Sequence, residues 1–79
     1  PAAALFLDIT GASCPMTYIL ARLKLAELPP GGMLRIRLSG DEPLENVPRA
    51  LREDGCQLSE PIPEEGAWLL TAVKPQVAP

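Results

Sequence analysis

The sequence predicts a two-layer α/β sandwich of order βαβαββ, in which two helices cover one face of a four-stranded mixed sheet. Three observations carry that reading. Residues 4–9, 33–39 and 67–74 alternate in side-chain direction with the period of strands. Between the first two, residues 15–28 hold no glycine and no proline after Pro15, and are rich in the helix formers leucine, alanine, lysine and arginine. Glycine and proline gather at the junctions, most densely at Pro29-Pro30-Gly31-Gly32. Seventy-nine residues, 47% hydrophobic and 22% charged, suit one packed domain near the lower size limit for a core without staples. The expected ordered core is about 4–74 within a single domain 1–79, with a frayed tail at 75–79.

In the first strand Leu5, Leu7 and Ile9 share one face, and Phe6 and Asp8 share the other. Thr10 to Ser13 is a small polar turn in which Gly11 supplies backbone freedom. The helix that follows begins at Pro15, because a proline at the first helical position lacks an N–H that would have no acceptor there. Tyr18, Ala21, Leu25 and Leu28 form its core stripe; Met16, Leu20 and Leu23 form a second stripe, either further core or an exposed apolar surface. The strand at 33–39 turns Leu34, Ile36 and Leu38 inward and Met33, Arg35 and Arg37 outward, so one sheet face meets solvent. A helix joining two strands favours a parallel pair with a right-handed crossover. The second helix is expected over about Asn46 to Asp54, with Pro48 in its first turn and Gly55 past its end. A brief strand around Leu58, a turn at Pro63-Glu-Glu-Gly66 and a last strand from Ala67 to Lys74 complete the order.

Composition removes several function classes. There is no histidine, hence neither the commonest general base nor the commonest metal ligand. The net charge of −3 argues against a broad grip on nucleic acid, with only Arg35 and Arg37 as a local basic feature. Two cysteines are too few for a disulfide scaffold or a zinc site, and a reducing, cytoplasmic setting is the simplest reading. No apolar run approaches the roughly 20 residues that span a bilayer, so no membrane association is expected.

The chemistry concentrates at Cys14. With Pro15 as the first helical residue, Cys14 is the N-cap, and its sulfur faces the free N–H groups and the positive end of the helix dipole, which lower a thiol's pKa. Among those donors are the N–H groups of Met16 and Thr17. The other reading of Cys14 is a small buried hydrophobe. Asp8 either orients the turn or occupies the solvated strand face. The remaining acidic residues read as solvated charges.

Asp8-x-x-Gly11-x-x-Cys14-Pro15 after a first strand, Leu25-x-x-Leu28-x-Pro30-Gly31 closing the helix, and Asp41-Glu-Pro43 followed by Val47-Pro48 together resemble the TusA-like (SirA-like) sulfur-carrier family, from about Leu5 to Lys74. The resemblance implies the βαβαββ sandwich, with Cys14 accepting sulfur as a persulfide and relaying it. It implies a sulfur-donor protein, a cysteine desulfurase or a rhodanese-like one, and an acceptor protein. The family's pathways are tRNA thiolation, molybdenum-cofactor biosynthesis and sulfur metabolism. No cofactor or metal, no direct nucleic-acid contact and a monomer are expected. Met16, Leu20 and Leu23 are the candidate partner surface. Thr17 stands where the family has a second proline, and Cys56 where it commonly has histidine or another polar residue; Cys56 reads as structural, with a resolving thiol as the alternative. A monothiol redox protein and a regulatory module with an unused thiol are the competing functions.

Overall fold

A computed structural model describes residues 4–13 and 16–75. Cys14 and Pro15 lie outside the described residues. The chain runs β1 (Ala4–Asp8), α1 (Met16–Ala26), β2 (Met33–Leu38), α2 (Asp41–Glu53), β3 (Gln57–Leu58), β4 (Ile62–Glu64) and β5 (Ala67–Val73). β1 pairs parallel with β2, which pairs antiparallel with β5. The far side of β5 takes both β3, opposite Ala72 and Val73, and β4, opposite Ala67 to Leu69. The sheet therefore has five strands where the sequence suggested four. The reason is local: β3 and β4 lie along a single edge of β5, interrupted at Ser59-Glu60-Pro61. Ser59 patches the gap, its N–H donating to the Thr71 carbonyl and its Oγ accepting from the Thr71 N–H.

Leu34 and Ile36 on β2 stand opposite Ala72 and Leu70 on β5, and all four are fully buried. Ala21, Leu25 and Leu28 from the α1 region, with Val47 and Leu51 from α2, close the same cluster from above. This places both helices on one face. β1 follows the expected alternation, with Leu5 and Leu7 half-buried, Ile9 buried and Phe6 exposed.

α2 begins five residues earlier than the sequence suggested, at Asp41, and ends at Glu53. It is Pro43 that falls in the first turn, where its missing N–H costs nothing and where Asp41 and Glu42 suit the helix dipole. Pro48 is interior. An internal proline costs about 3 kcal/mol, and here the buried ring, between buried Val47 and Leu51, offsets part of it. The helix ends in a Schellman motif: the Gly55 N–H donates to the Arg52 carbonyl and the Cys56 N–H to the Leu51 carbonyl, with Gly55 at φ 93°. Pro63 and Glu64, expected in a turn, belong to β4; the turn itself is Glu65-Gly66, both at positive φ, as a two-residue hairpin of matching twist requires.

Candidate functional site

β1 ends where the chain turns toward Cys14, and the turn is held from three sides. Asp8 Oδ1 accepts from the Thr10 N–H at 3.0 Å and from Thr10 Oγ1 at 2.8 Å. Ser39 Oγ, just past β2, donates to the Thr10 carbonyl at 3.1 Å. The Ala12 N–H closes onto the Ile9 carbonyl at 3.1 Å. Asp8 thus bonds into the turn from the exposed strand face, so both of its sequence readings describe it. Its other oxygen lies 3.6 Å from the Arg37 guanidinium, which also reaches Glu64. Ser39 carried no sequence signal: it precedes a glycine turn far along the chain, and only the parallel β1–β2 pairing brings it to Thr10.

The hydrogen bonds from Thr10, followed by the Arg37 charge, hold the Asp8 carboxyl below its ordinary value of 3.8. A depressed carboxyl contributes its stabilisation above the unfolded value and loses it as pH falls through the folded one. Below about pH 3.8, the turn should therefore loosen, seen as faster amide exchange at Thr10 while the buried amides of β2 stay protected. Equal loss at both would show that Asp8 does not hold the turn.

The start of α1 differs from the sequence reading. The Ser13 carbonyl accepts from the Met16 N–H at 2.8 Å and from the Thr17 N–H at 3.3 Å. The Met16 and Thr17 N–H groups, which the sequence reading aimed at the sulfur, thus both donate to a backbone carbonyl. Thr17 itself is fully buried and faces the core. Gly11 does not have the positive φ that favours glycine, and a Cβ there would meet nothing within 4 Å. Its lack of a side chain leaves open space beside the turn.

On the outer side of α1, Met16 and Leu23 are 45% and 61% exposed. Leu20, expected between them, is half-buried and packs on the core. Ile19 takes its place, because positions 16, 19 and 23 follow one helical stripe. The sequence signal was present in the spacing, but α1 is apolar nearly all round, which hid the division.

Cys56 stands elsewhere. It is a buried member of the core, with Leu25 and Ala26 beside it along a depression of about 340 Å³ near the C-terminal end of α1. Burial first, then the nearby Asp54 charge, push its thiol above the ordinary range, and Lys74 opposes them. It is the apolar residue two past the helix cap that a Schellman motif commonly packs inward. The rim is tied by Tyr18 Oη donating to Asp54 at 2.7 Å, a bond that raises the tyrosine pKa. Among the described residues no cluster of acidic residues and cysteine could hold a metal ion, and no helix is long and apolar enough to cross a membrane.

Comparison with known proteins gives a consistent answer. The family model described as sulfurtransferase TusA matches residues 5–74. A putative sulfur carrier protein of Archaeoglobus fulgidus is 39% identical over 52 residues, 66% of this chain and 59% of that protein. The match thus spans less than two thirds of that relative's length. The sulfur carrier protein TusA of Pseudomonas aeruginosa is 30% identical over 63 residues, 80% of each chain. The crystal structure of a SirA-like protein from Desulfitobacterium hafniense superposes with a TM-score of 0.78 at 26% identity, covering 90% of this chain and 97% of that one. By that match over residues 5–74, and on the sheet order just described, this chain belongs to the TusA sulfurtransferase family.

Proposed function

We propose that this protein is a sulfur carrier in which Cys14 accepts sulfur as a persulfide from a donor protein and passes it to an acceptor protein. The observation that carries the reading is the family match over residues 5–74, which includes the Cys14-Pro15 step. In the loading step the Cys14 thiolate attacks the terminal sulfur of a donor cysteine persulfide, the donor S–S bond breaks, and the donor cysteine leaves as thiolate. Transfer onward repeats the exchange, with the acceptor's nucleophile attacking the outer sulfur on Cys14 and the Cys14 thiolate departing. Neither step needs an external oxidant or reductant. Exchange between two proteins needs a sulfur that both can reach. A cysteine desulfurase or rhodanese-like protein fits as donor, and tRNA thiolation, molybdenum-cofactor assembly or sulfur metabolism as the receiving pathway. Mass spectrometry after incubation with a desulfurase and cysteine tests the reading. A gain of one sulfur on Cys14 supports it, whereas glutathione adducts without persulfide would favour a monothiol redox role.

The exposed stripe Met16, Ile19 and Leu23 is the surface we assign to the donor or acceptor, since contiguous exposed apolar groups beside a site mark contact surfaces. Leu23→Lys should slow sulfur transfer several-fold and leave stability within about 0.5 kcal/mol, as for other surface changes. Leu20 is the poorer probe because its partial burial mixes the two effects. Unchanged transfer rates with both candidate partner classes would remove the stripe from the docking surface.

A further inference from the structure

We propose that the outer edge of β1 is a self-association surface, where a second copy of this chain adds its own β1 antiparallel and extends the sheet across a twofold axis. Among the described residues β1 ends the strand order, bonded to β2 alone. The Ile9 N–H reaches the Arg37 carbonyl at 2.8 Å. By strand alternation the backbone groups of Leu5, Leu7 and Ile9 turn to β2, and those of Ala4, Phe6 and Asp8 point outward.

The two edges of the sheet are protected unequally. The β3/β4 edge is broken, and it carries Pro61, Pro63, Glu60 and Glu64, devices that deter strand addition. β1 has no proline and a single charge, Asp8, at its end.

Its sequence is also self-complementary. Antiparallel pairing centred on Phe6 sets Phe6 against Phe6, Leu5 against Leu7 and Ala4 against Asp8, so no like charges meet. In that register the outward groups of Ala4, Phe6 and Asp8 exchange hydrogen bonds with their counterparts. The side chains left uncovered are the ones this pairing would cover: Phe6 is 56% exposed, and Leu5 and Leu7 remain half-buried on the core face because no strand flanks them. A five-residue edge buries less than the roughly 800 Å² per partner of a stable complex. The dimer is therefore weak and concentration-dependent, where the sequence reading expected a monomer. Antiparallel strands send the two segments 9–13 away at opposite ends, so pairing does not set one transfer site against the other.

Sedimentation velocity of the full chain between about 10 μM and about 1 mM should show a sedimentation coefficient that rises with concentration. Phe6→Lys sets like charges against each other and should weaken the dimer several-fold, and mixing it with Phe6→Glu should restore association. Ile62→Lys, at an exposed position on the other edge, should leave it unchanged. In the unmodified protein, amide exchange at Phe6 and Asp8 should slow as concentration rises, a reading that needs no variant to fold. A monomer across the whole range would overturn the proposal. So would concentration-independent exchange at Phe6, or a dimer that survives Phe6→Lys and dissolves on Leu23→Lys.

Discussion

Cys14→Ser is expected to lose all sulfur loading from a desulfurase while keeping the fold, and Cys56→Ala to keep loading nearly unchanged. A hydroxyl cannot form a persulfide, so the first loss is absolute if Cys14 is the carrier. Cys56 is buried in the core, and burial and the Asp54 charge hold it as the neutral thiol, the unreactive form for exchange. Alanine is the better control at that position, because a serine hydroxyl buried without a partner costs about 1–3 kcal/mol and would confuse lost activity with lost structure. The same contrast should appear in alkylation at neutral pH, with Cys14 modified well before Cys56. Loss of loading in both variants, with both folded, would give Cys56 a direct part in the relay.

Leu70→Ala should be among the most destabilising single changes in the described core. Leu70 is fully buried on the central strand β5, opposite Ile36 on β2 and beneath both helices. Truncating a buried leucine costs about 2–5 kcal/mol, because the lost transfer energy is joined by the cavity that remains. In a domain of this size the whole folding free energy is on the order of 5–10 kcal/mol. A loss of about 3 kcal/mol corresponds to a fall in Tm on the order of 15 °C, readable by thermal melting. Leu23→Ala, on the exposed stripe, should shift the melt little. Similar shifts for the two would mean that the sheet centre collapses around the truncated side chain or that α1 packs its outer stripe in solution.

Some of this protein was written in local order. The strands at 4–8, 33–38 and 67–73 were legible because a pleated chain sends successive side chains to opposite faces, and α1 because its run of helix formers is bounded by Pro15 and Pro29. The family motif was legible because each of its three segments is a short run at a junction between elements. Where two local signals competed, the reading erred: Pro43 and Pro48 both qualify as a first-turn proline, and it is Pro43 that starts the helix while Pro48 lies buried in its interior.

What tertiary structure alone decided are relations between distant segments. Pairing along β5 turned the stretch 57–64 into two short strands on one edge. The parallel register of β1 and β2 brought Ser39 to Thr10 and Arg37 to Asp8, so the turn before Cys14 is held by residues about thirty positions away. The division of α1 between core and surface was set by what the sheet and α2 cover, which sent Leu20 inward and left Ile19 out. The backbone carbonyl of Ser13 likewise accepts from both the Met16 and the Thr17 N–H, a pairing no side-chain pattern announces. Sequence periodicity reports which side chains share a face; which face is covered depends on the elements packed against it.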